Sequence, residues 1–480
     1  MQILIKIFPV IPELFILLMA CLILMLGVFS KNGAPRASYY LSQITLIMAA
    51  LVVGHIYYLG ADQAVYAFHQ LFVLDALAVV LKIFILIAMV FTFWYSHLYN
   101  QSQRVASNEF HVLGLLATLG MMILVSAYHF VTLFLGMELM SLPVYAMVAM
   151  MRERSRCVEA AMKYFIIGSV ASGIFLYGLS LFFGATHSLN LLSVAQAISI
   201  TPANQSLMLY FGLVFVIAGI AFKLGAAPFH SWVPDVYDGA PDSVTLFISA
   251  APKIAAFGLA FRFLMDAAPG LHVQWEPVLM VIALLSIALG NVVALVQTNI
   301  KRLLAYSSIA HMGYIVLGLA CSTKQGDAAA LFYMVTYALT SLGAFGMITI
   351  MSRAGFEMTK ISDFSGLGTR QPWFAFLLLL MLFSLAGIPP MVGFIAKLGI
   401  LEALINVHSV WLAVVAIIFS IIGVYYYIRM IKIMYFEDVP PTPRMTCSRN
   451  VTFAMTVNGL LVLLLGIFPG QLFVLCHAVF

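Results

Sequence analysis

Apolar runs of about twenty residues, each closed by a short interval with charges, prolines or glycines, recur along this 480-residue chain. About 20 apolar residues in helical conformation cross a hydrocarbon layer, and a helix satisfies its own backbone hydrogen bonds there. The pattern predicts an all-α polytopic membrane protein of about fourteen transmembrane helices. Their expected positions are 7–29, 38–59, 70–95, 110–127, 129–150, 158–184, 207–231, 243–266, 276–298, 302–321, 328–350, 372–402, 408–434 and 452–476. No stretch between them has the makings of a water-soluble domain. The first run, from Ile3 to Phe29, lacks a small-residue cleavage pattern, so it is expected to stay as the first helix.

Composition agrees with lipid as the solvent: 64% of residues are hydrophobic and 9% charged, too few charges to keep so much apolar surface in water. Charge placement then orients the chain. With the N-terminus outside, the cytoplasmic intervals and flanks hold Lys31, Arg36, Arg104, Arg152, Arg154, Arg156, Lys301, Arg302, Arg353, Lys360, Arg370, Lys432, Arg444 and Arg449. The other side holds Lys6 and Lys324, with Arg262 near the outer end of span eight. This is the positive-inside distribution, and a miscounted span would have scrambled it. One cytoplasmic interval departs from it. After span seven the chain carries Asp235, Asp238 and Asp242 with no basic residue.

That departure follows a helix with a breaker in it. Pro228 removes a helical donor and Gly225 frees the backbone just before it. Span twelve repeats the device, because Gly387-Ile388-Pro389-Pro390-Met391 aligns with Gly225-Ala226-Ala227-Pro228-Phe229. Matched discontinuous helices point to two inverted repeats with a transport site between them, although membrane helices also tolerate prolines without consequence. The organisation expected is N-terminal helices in 1–109, a first five-helix repeat in 110–266, a second, inverted one in 276–434, and a last helix in 452–480.

Against this apolar background the buried charges stand out, since a charge at membrane depth costs roughly 2.5–3.5 kcal/mol on insertion scales and by default marks an ion path. Glu138 lies inside span five and Lys163 inside span six, so a hairpin can pair them, either as a structural bridge or as a pair that a neighbouring charge opens. Lys223, Lys253 and Lys397 lie deep in spans seven, eight and twelve. A lysine can give up and regain a proton on burial, whereas arginine stays charged; snorkelling or a helix contact is the plainer reading of any one of them. His311 in span ten, amid the hydroxyls of Tyr306, Ser307, Ser308 and Tyr314, can relay protons or make an interhelical hydrogen bond. Tyr333 and Tyr337 are weaker candidates on span eleven. Asp75 and Lys82 share a face of span three and read as packing or partner contacts, while Lys301 and Arg302 read as interfacial anchors and Glu402 and Arg429 as solvated.

Cys21, Cys157, Cys321, Cys447 and Cys476 stand singly, which does not suggest an iron-sulfur cluster or a structural zinc site. The chain has no phosphate loop, no dinucleotide fingerprint and no basic surface suited to nucleic acid. Any redox step belongs to another polypeptide.

The Glu138 neighbourhood, the run from Lys223 to Pro241, the segment Leu303–Tyr314 and the run from Gly387 to Lys397 together resemble the antiporter-like subunit N family of bacterial NADH-quinone oxidoreductase, respiratory complex I, whose mitochondrial relative is subunit 2. The resemblance extends over essentially the whole chain. It implies fourteen helices with the seventh and twelfth interrupted, and proton-translocating roles for Glu138, Lys223, Lys253 and Lys397, with Lys163 a further family lysine. Lysine rather than glutamate in span twelve, and an end soon after span fourteen without a long lateral helix, match this subunit rather than the largest antiporter-like one. The resemblance further implies a bacterial inner membrane, neighbouring membrane subunits on both lateral faces, and no cofactor in this chain, with FMN, iron-sulfur clusters and quinone in partner subunits. On this reading a redox-linked change near quinone alters the charge beside Glu138. A protonation change then passes from Lys223 through Lys253 and His311 to Lys397, by way of internal water. A self-contained cation/proton antiporter and an inert scaffold subunit are the alternatives the same fold allows.

Overall fold

A computed structural model describes residues 8–30, 35–59, 64–103, 105–200, 206–352, 356–437 and 448–480. Lys6, Lys31, Arg104, Arg353, Arg444 and Cys447, used above, lie outside the described residues. Among the described residues, thirteen helices are long and apolar enough to cross a membrane. In chain order the spanning helices are α1 (Ile11–Phe29), α2 (Pro35–Leu59), α3 (Ala76–Ser102), α4 (Ser107–Val125), α5 (Phe130–Val148), α6 (Ser155–Thr186) and α7 (Ser206–Leu224). They continue as α8 (Asp242–Phe261), α9 (His272–Ala294), α10 (Ile300–Ala320), α11 (Lys324–Met351), α13 (Val410–Phe436) and α14 (Arg449–Ile467). The twelfth span is two half-helices, α12a (Pro372–Ala386) and α12b (Val392–Asn406). Each half has 15 residues and at about 1.5 Å per residue falls short of the bilayer, which takes the pair together.

Three expected boundaries shift, the seventh helix for one ending at Leu224 rather than at 231. Residues 70–74 do not begin the third helix: an antiparallel hairpin of β1 (Val65–Ala67) and β2 (Phe72–Leu74) precedes it. The run Phe72-Val73-Leu74 suits an extended pairing, and Asp75 then starts α3 by accepting from the Ala78 N–H at 2.8 Å. The fourteenth helix stops at Ile467, and Pro469 precedes a separate short helix, Gly470–Ala478. The near contact of spans four and five at His129 is resolved by capping, since its Nδ1 accepts from the Val131 N–H at 3.2 Å and opens α5.

The chain forms two compact units. The first comprises Met1–Phe93, Arg104–Leu224 and Ala251–Trp275; the second comprises Trp94–Gln103, Gly225–Ala250 and Glu276–Phe480. Within the first, α4 and α5 pack backbone to backbone. A Cβ at Gly136 would lie 2.8 Å from the Leu124 amide nitrogen, and one at Gly120 would overlap the backbone of Met140. Such small residues let membrane helices approach closely. Gly136→Leu is therefore expected to force α4 and α5 apart, costing about 1–3 kcal/mol as overpacking does, and to lower the yield of folded protein in a detergent thermal-shift assay.

A buried guanidinium ties the first unit at one end. Arg262, on the π-helical turn Arg262–Ala267 that continues α8, holds Asp75 through two hydrogen bonds of 2.6 and 2.7 Å and Asp266 at 3.0 Å. Burial opposes the charge on Asp75, but Arg262 outweighs it and holds the carboxyl below its usual range.

Candidate functional site

The two breaks share a backbone geometry. Gly225 and Gly387 both take the left-handed conformation, at φ +74° and +79°, which a side chain would strain. Each break contains a cis X–Pro bond, at Ala227–Pro228 and at Pro389–Pro390. α7 ends at Leu224 with Lys223 in its last turn. Past the second break, Lys397 of α12b reaches back to the end of α12a and donates to the Ala386 carbonyl at 2.9 Å and to Ser420 Oγ at 3.0 Å. Lys397 thus lies against the carbonyl end of a half-helix and Lys223 in the last turn of a full span, and a helix C-terminus favours a cation.

In the first unit, Lys223 is buried and donates to Ser141 Oγ of α5 at 2.8 Å. Glu138 lies three residues before Ser141, on the same helix face, and its field acts on Lys223 and on Tyr145. One oxygen of Glu138, Oε1, is buried without a hydrogen-bond partner. Glu138 and Lys223 therefore share one site, with Ser141 beside them. Lys163 has a carboxylate partner on its own helix, Glu159, at 2.9 Å, and its side chain is 44% exposed. The spacing of four residues with the acid first is what pairs them. Lys253 follows Pro252 inside α8 and is buried.

In the second unit, His311 is the centre of a hydroxyl chain. Its Nδ1 pairs with Tyr333 Oη at 2.8 Å and its Nε2 with Tyr427 Oη at 3.2 Å, while Tyr427 also meets Ser307 Oγ. Tyr337 lies beside the imidazole ring and donates to Ser308 Oγ at 2.7 Å. Each of these groups both donates and accepts, so a proton can be handed along the chain by reorienting hydroxyls. Thr336, Thr340 and Ser384 join His311, Tyr333 and Tyr337 around a cavity of about 10 Å³, near the lower limit for one water. Tyr333 stacks on Tyr314 at 5.8 Å, and Lys397 lies 5.5 Å over the Tyr314 ring. Tyr314 and Lys397 line a second cavity of about 330 Å³, otherwise walled mostly by apolar side chains, with room for several waters.

The acidic interval after α7 finds its counter-charges in this unit. Lys301 is not an interfacial anchor: it is 2% exposed and bonds Asp242 at 2.8 Å and the Ala240 carbonyl at 3.2 Å. Arg302 meets Asp235 at 3.0 Å, and Asn299 donates to Asp238 at 2.6 Å. Position in the chain, two residues before a long apolar run, suggested water; the tertiary fold supplies a buried carboxylate instead. Arg429 likewise turns inward, donating to the Leu295 and Gln297 carbonyls just beyond the end of α9 at 2.9 Å each.

Sequence reasoning missed Tyr427 and Ser141, and missed Glu13 altogether, although Lys82 bonds it at 2.6 Å with both side chains buried. A polar residue inside an apolar span was the signal available for each. Tyr427→Phe removes both hydroxyl contacts, worth about 0.5–1.5 kcal/mol apiece. The variant is expected to assemble and to slow proton transfer several-fold, as read by the initial rate of dye-reported vesicle acidification.

Amines at membrane depth beside interrupted helices, with a histidine–tyrosine chain between other spans, define a membrane-embedded ion-translocating protein. A family model described as the transmembrane part of NADH:quinone oxidoreductase and Mrp antiporters matches residues 127–423. The chain belongs to that family, and within it to the subunit N group of NADH-quinone oxidoreductases, for it is 56% identical over 474 residues to subunit N of Coxiella burnetii, covering 98% of each chain. It is 50% identical to that of Thioalkalivibrio sulfidiphilus over 97% of this chain and 96% of the relative. Among solved structures, a chain of respiratory complex I from Thermus thermophilus superposes with TM-score 0.83 at 30% identity, covering 97% of this chain and 100% of that one. A chain of the Mrp complex from Dietzia superposes with TM-score 0.87 at 18% identity, over 99% of this chain and 97% of that one; this is a likeness of fold alone.

Proposed function

We propose that the chain is a proton-translocating membrane subunit of an NADH-quinone oxidoreductase and moves protons in response to electron transfer carried out by partner subunits. The observation that carries this reading is the placement of a lysine at the end of the helix before each break, Lys223 in the last turn of α7 and Lys397 against the last carbonyls of α12a. A group that must change charge during a cycle needs a site where neither form is prohibitive. Burial disfavours the ammonium and a helix C-terminus favours it, so a modest change in a neighbouring charge can tip the balance.

Glu138 is that neighbour for Lys223. Loss or gain of charge beside Glu138 changes the field at Lys223, and Ser141 supplies the first hydrogen-bonded acceptor for its proton. Lys253 extends the titratable set of the first unit along α8, and Lys163, paired with Glu159, is a further positive charge on α6 that biases it. In the second unit the His311 chain carries protons among Ser307, Tyr427 and Tyr333, and Lys397 releases them into its cavity. Helices α4–α8 and α9–α13 act as two inverted five-helix repeats, an arrangement supported by the matched breaks at Gly225 and Gly387. The subunit lies in a bacterial inner membrane with its N-terminus periplasmic, flanked by other membrane subunits. FMN, iron-sulfur clusters and quinone are held by its partners.

The test is NADH-driven acidification of inverted vesicles carrying the assembled complex with Glu138→Gln in this chain. Electron transfer measured with an artificial acceptor should persist while coupled pumping falls. Unchanged pumping at normal assembly would point to a scaffold, and sodium or potassium counterflow in vesicles holding this polypeptide alone would point to a self-contained antiporter.

A further inference from the structure

Among the described residues of the second unit, polar atoms without hydrogen bonds concentrate at the end that the lysine and arginine distribution assigns to the cytoplasm. Asn100 of α3 is 1% exposed, and both its amide oxygen and its amide nitrogen are buried with no hydrogen bond. Ser96, one turn earlier on the same face, and Ser243, at the start of α8, are fully buried with unbonded hydroxyls. Asp242 adds its Oδ2. Each of these lies within a helical turn of one contact, in which Tyr99 Oη accepts from the Asp242 N–H at 3.2 Å and donates to Glu357 Oε1 at 3.1 Å. Glu357 is half-buried, so the contact reaches the surface. A buried amide with neither end bonded is costly, and several such groups in one place are what internal water satisfies.

Hydroxyls continue inward from there along α11. Thr349, Ser341 and Tyr337 are spaced by multiples of four residues and share a face. Thr349 Oγ1 donates to the Asp242 carbonyl at 3.3 Å, Ser341 Oγ donates to the Ser249 carbonyl at 3.3 Å, and Tyr337 reaches Ser308 beside His311. Phe345, the remaining position on that face, packs edge to face with Tyr237 at 5.5 Å. An apolar side chain in a polar line is where a water path closes by dewetting.

We propose that this end of the second unit is a hydrated proton inlet. Ser96, Asn100, Asp242 and Ser243 hold internal water that takes protons from the cytoplasm past Glu357 and passes them along α11 to the His311 chain, with Phe345 as the dry step. Asp242 and Lys301 stay paired and ionised throughout, so no buried charge is stranded. At each transfer one O–H bond breaks as the next oxygen or nitrogen forms one, and the proton gained by the His311 chain is the one lost by cytoplasmic water. The inlet rests on the proton-translocating reading above and extends it to the source of the proton.

In X-ray footprinting, radicals formed from water modify the side chains that ordered water touches. Tyr99 is buried at 2% exposure, yet in the assembled complex it should be modified. Asn100→Leu combined with Ser243→Ala puts apolar atoms where the water is held. Modification of Tyr99 should then fall several-fold, and pumping per electron should fall with it while electron transfer to an artificial acceptor continues. An unmodified Tyr99 in the unaltered complex would overturn the inference without any variant having to fold. So would a double variant that gains thermal stability and pumps fully, because replacing dry, unbonded polar groups by apolar ones only stabilises. Lys223→Arg separates the two readings: pumping that survives it defeats the broader one, whereas pumping lost there but intact in the double variant defeats the inlet alone.

Discussion

Lys223→Arg will abolish NADH-driven proton pumping while the complex stays assembled. Arginine keeps the positive charge that Glu138 senses, so a merely structural cation would be replaced without loss. It does not surrender that charge in a protein, so a group that must release a proton is not replaced. Lys223 sits in the last turn of α7, buried, with one hydrogen bond to Ser141. Guanidinium geometry also differs from that of an ammonium, so Lys223→Met is the companion variant, lacking charge at similar length. Both should reduce coupled acidification to the level left by the other subunits, with electron transfer to an artificial acceptor retained. Full pumping in the arginine variant would show that the amine never changes charge, and the proton path would have to run elsewhere.

Lys301→Ala will be the most destabilising single change in the second unit. It strands Asp242, whose side chain is 0% exposed and whose Oδ2 already lacks a partner, and it unbonds the Ala240 carbonyl. Removing one member of a buried pair typically costs about 3–5 kcal/mol, because the other charge is left without compensation. The same segment depends on Asp242 through its backbone: its N–H donates to Tyr99 Oη at 3.2 Å and its carbonyl accepts from Thr349 at 3.3 Å. Complex bearing Lys301→Ala should be nearly absent from native gels, and Lys301→Met combined with Asp242→Asn should recover much of it. Poor recovery by the double variant would mean that the lysine acts through its shape or its Ala240 contact rather than by neutralising Asp242.

The site was legible in the sequence to the extent that burial alone defines it. Lys223, Lys253, His311 and Lys397 are each a titratable side chain in an apolar span, and the structure buries the first three and places Lys397, half-buried, beside a cavity. Partner choice was not legible in the same way. Lys163 looked suited to Glu138 across a hairpin, yet it meets Glu159 on its own helix. Lys301 looked like an anchor in water and proved to be the counter-charge of Asp242. Partnership depends on helix rotation and depth, which a boundary uncertain by a few residues leaves open. The hairpin before α3 was hidden for a related reason: four apolar residues in a row read equally as strand or helix end.

Hydropathy, the distribution of lysine and arginine, and the two Gly-Pro breaks determined by themselves that this is a multi-pass helical membrane protein with interrupted seventh and twelfth spans. Those features are local, since lipid demands about twenty apolar residues per crossing and a proline breaks a helix wherever it falls. The tertiary structure alone decided that His311 bridges Tyr333 and Tyr427, that Lys397 closes back on the Ala386 carbonyl, and that Glu13 meets Lys82. These contacts join residues 11 to 116 positions apart, and only the packing of one helix face against another selects them, because in lipid every polar side chain must find its partner inside the protein.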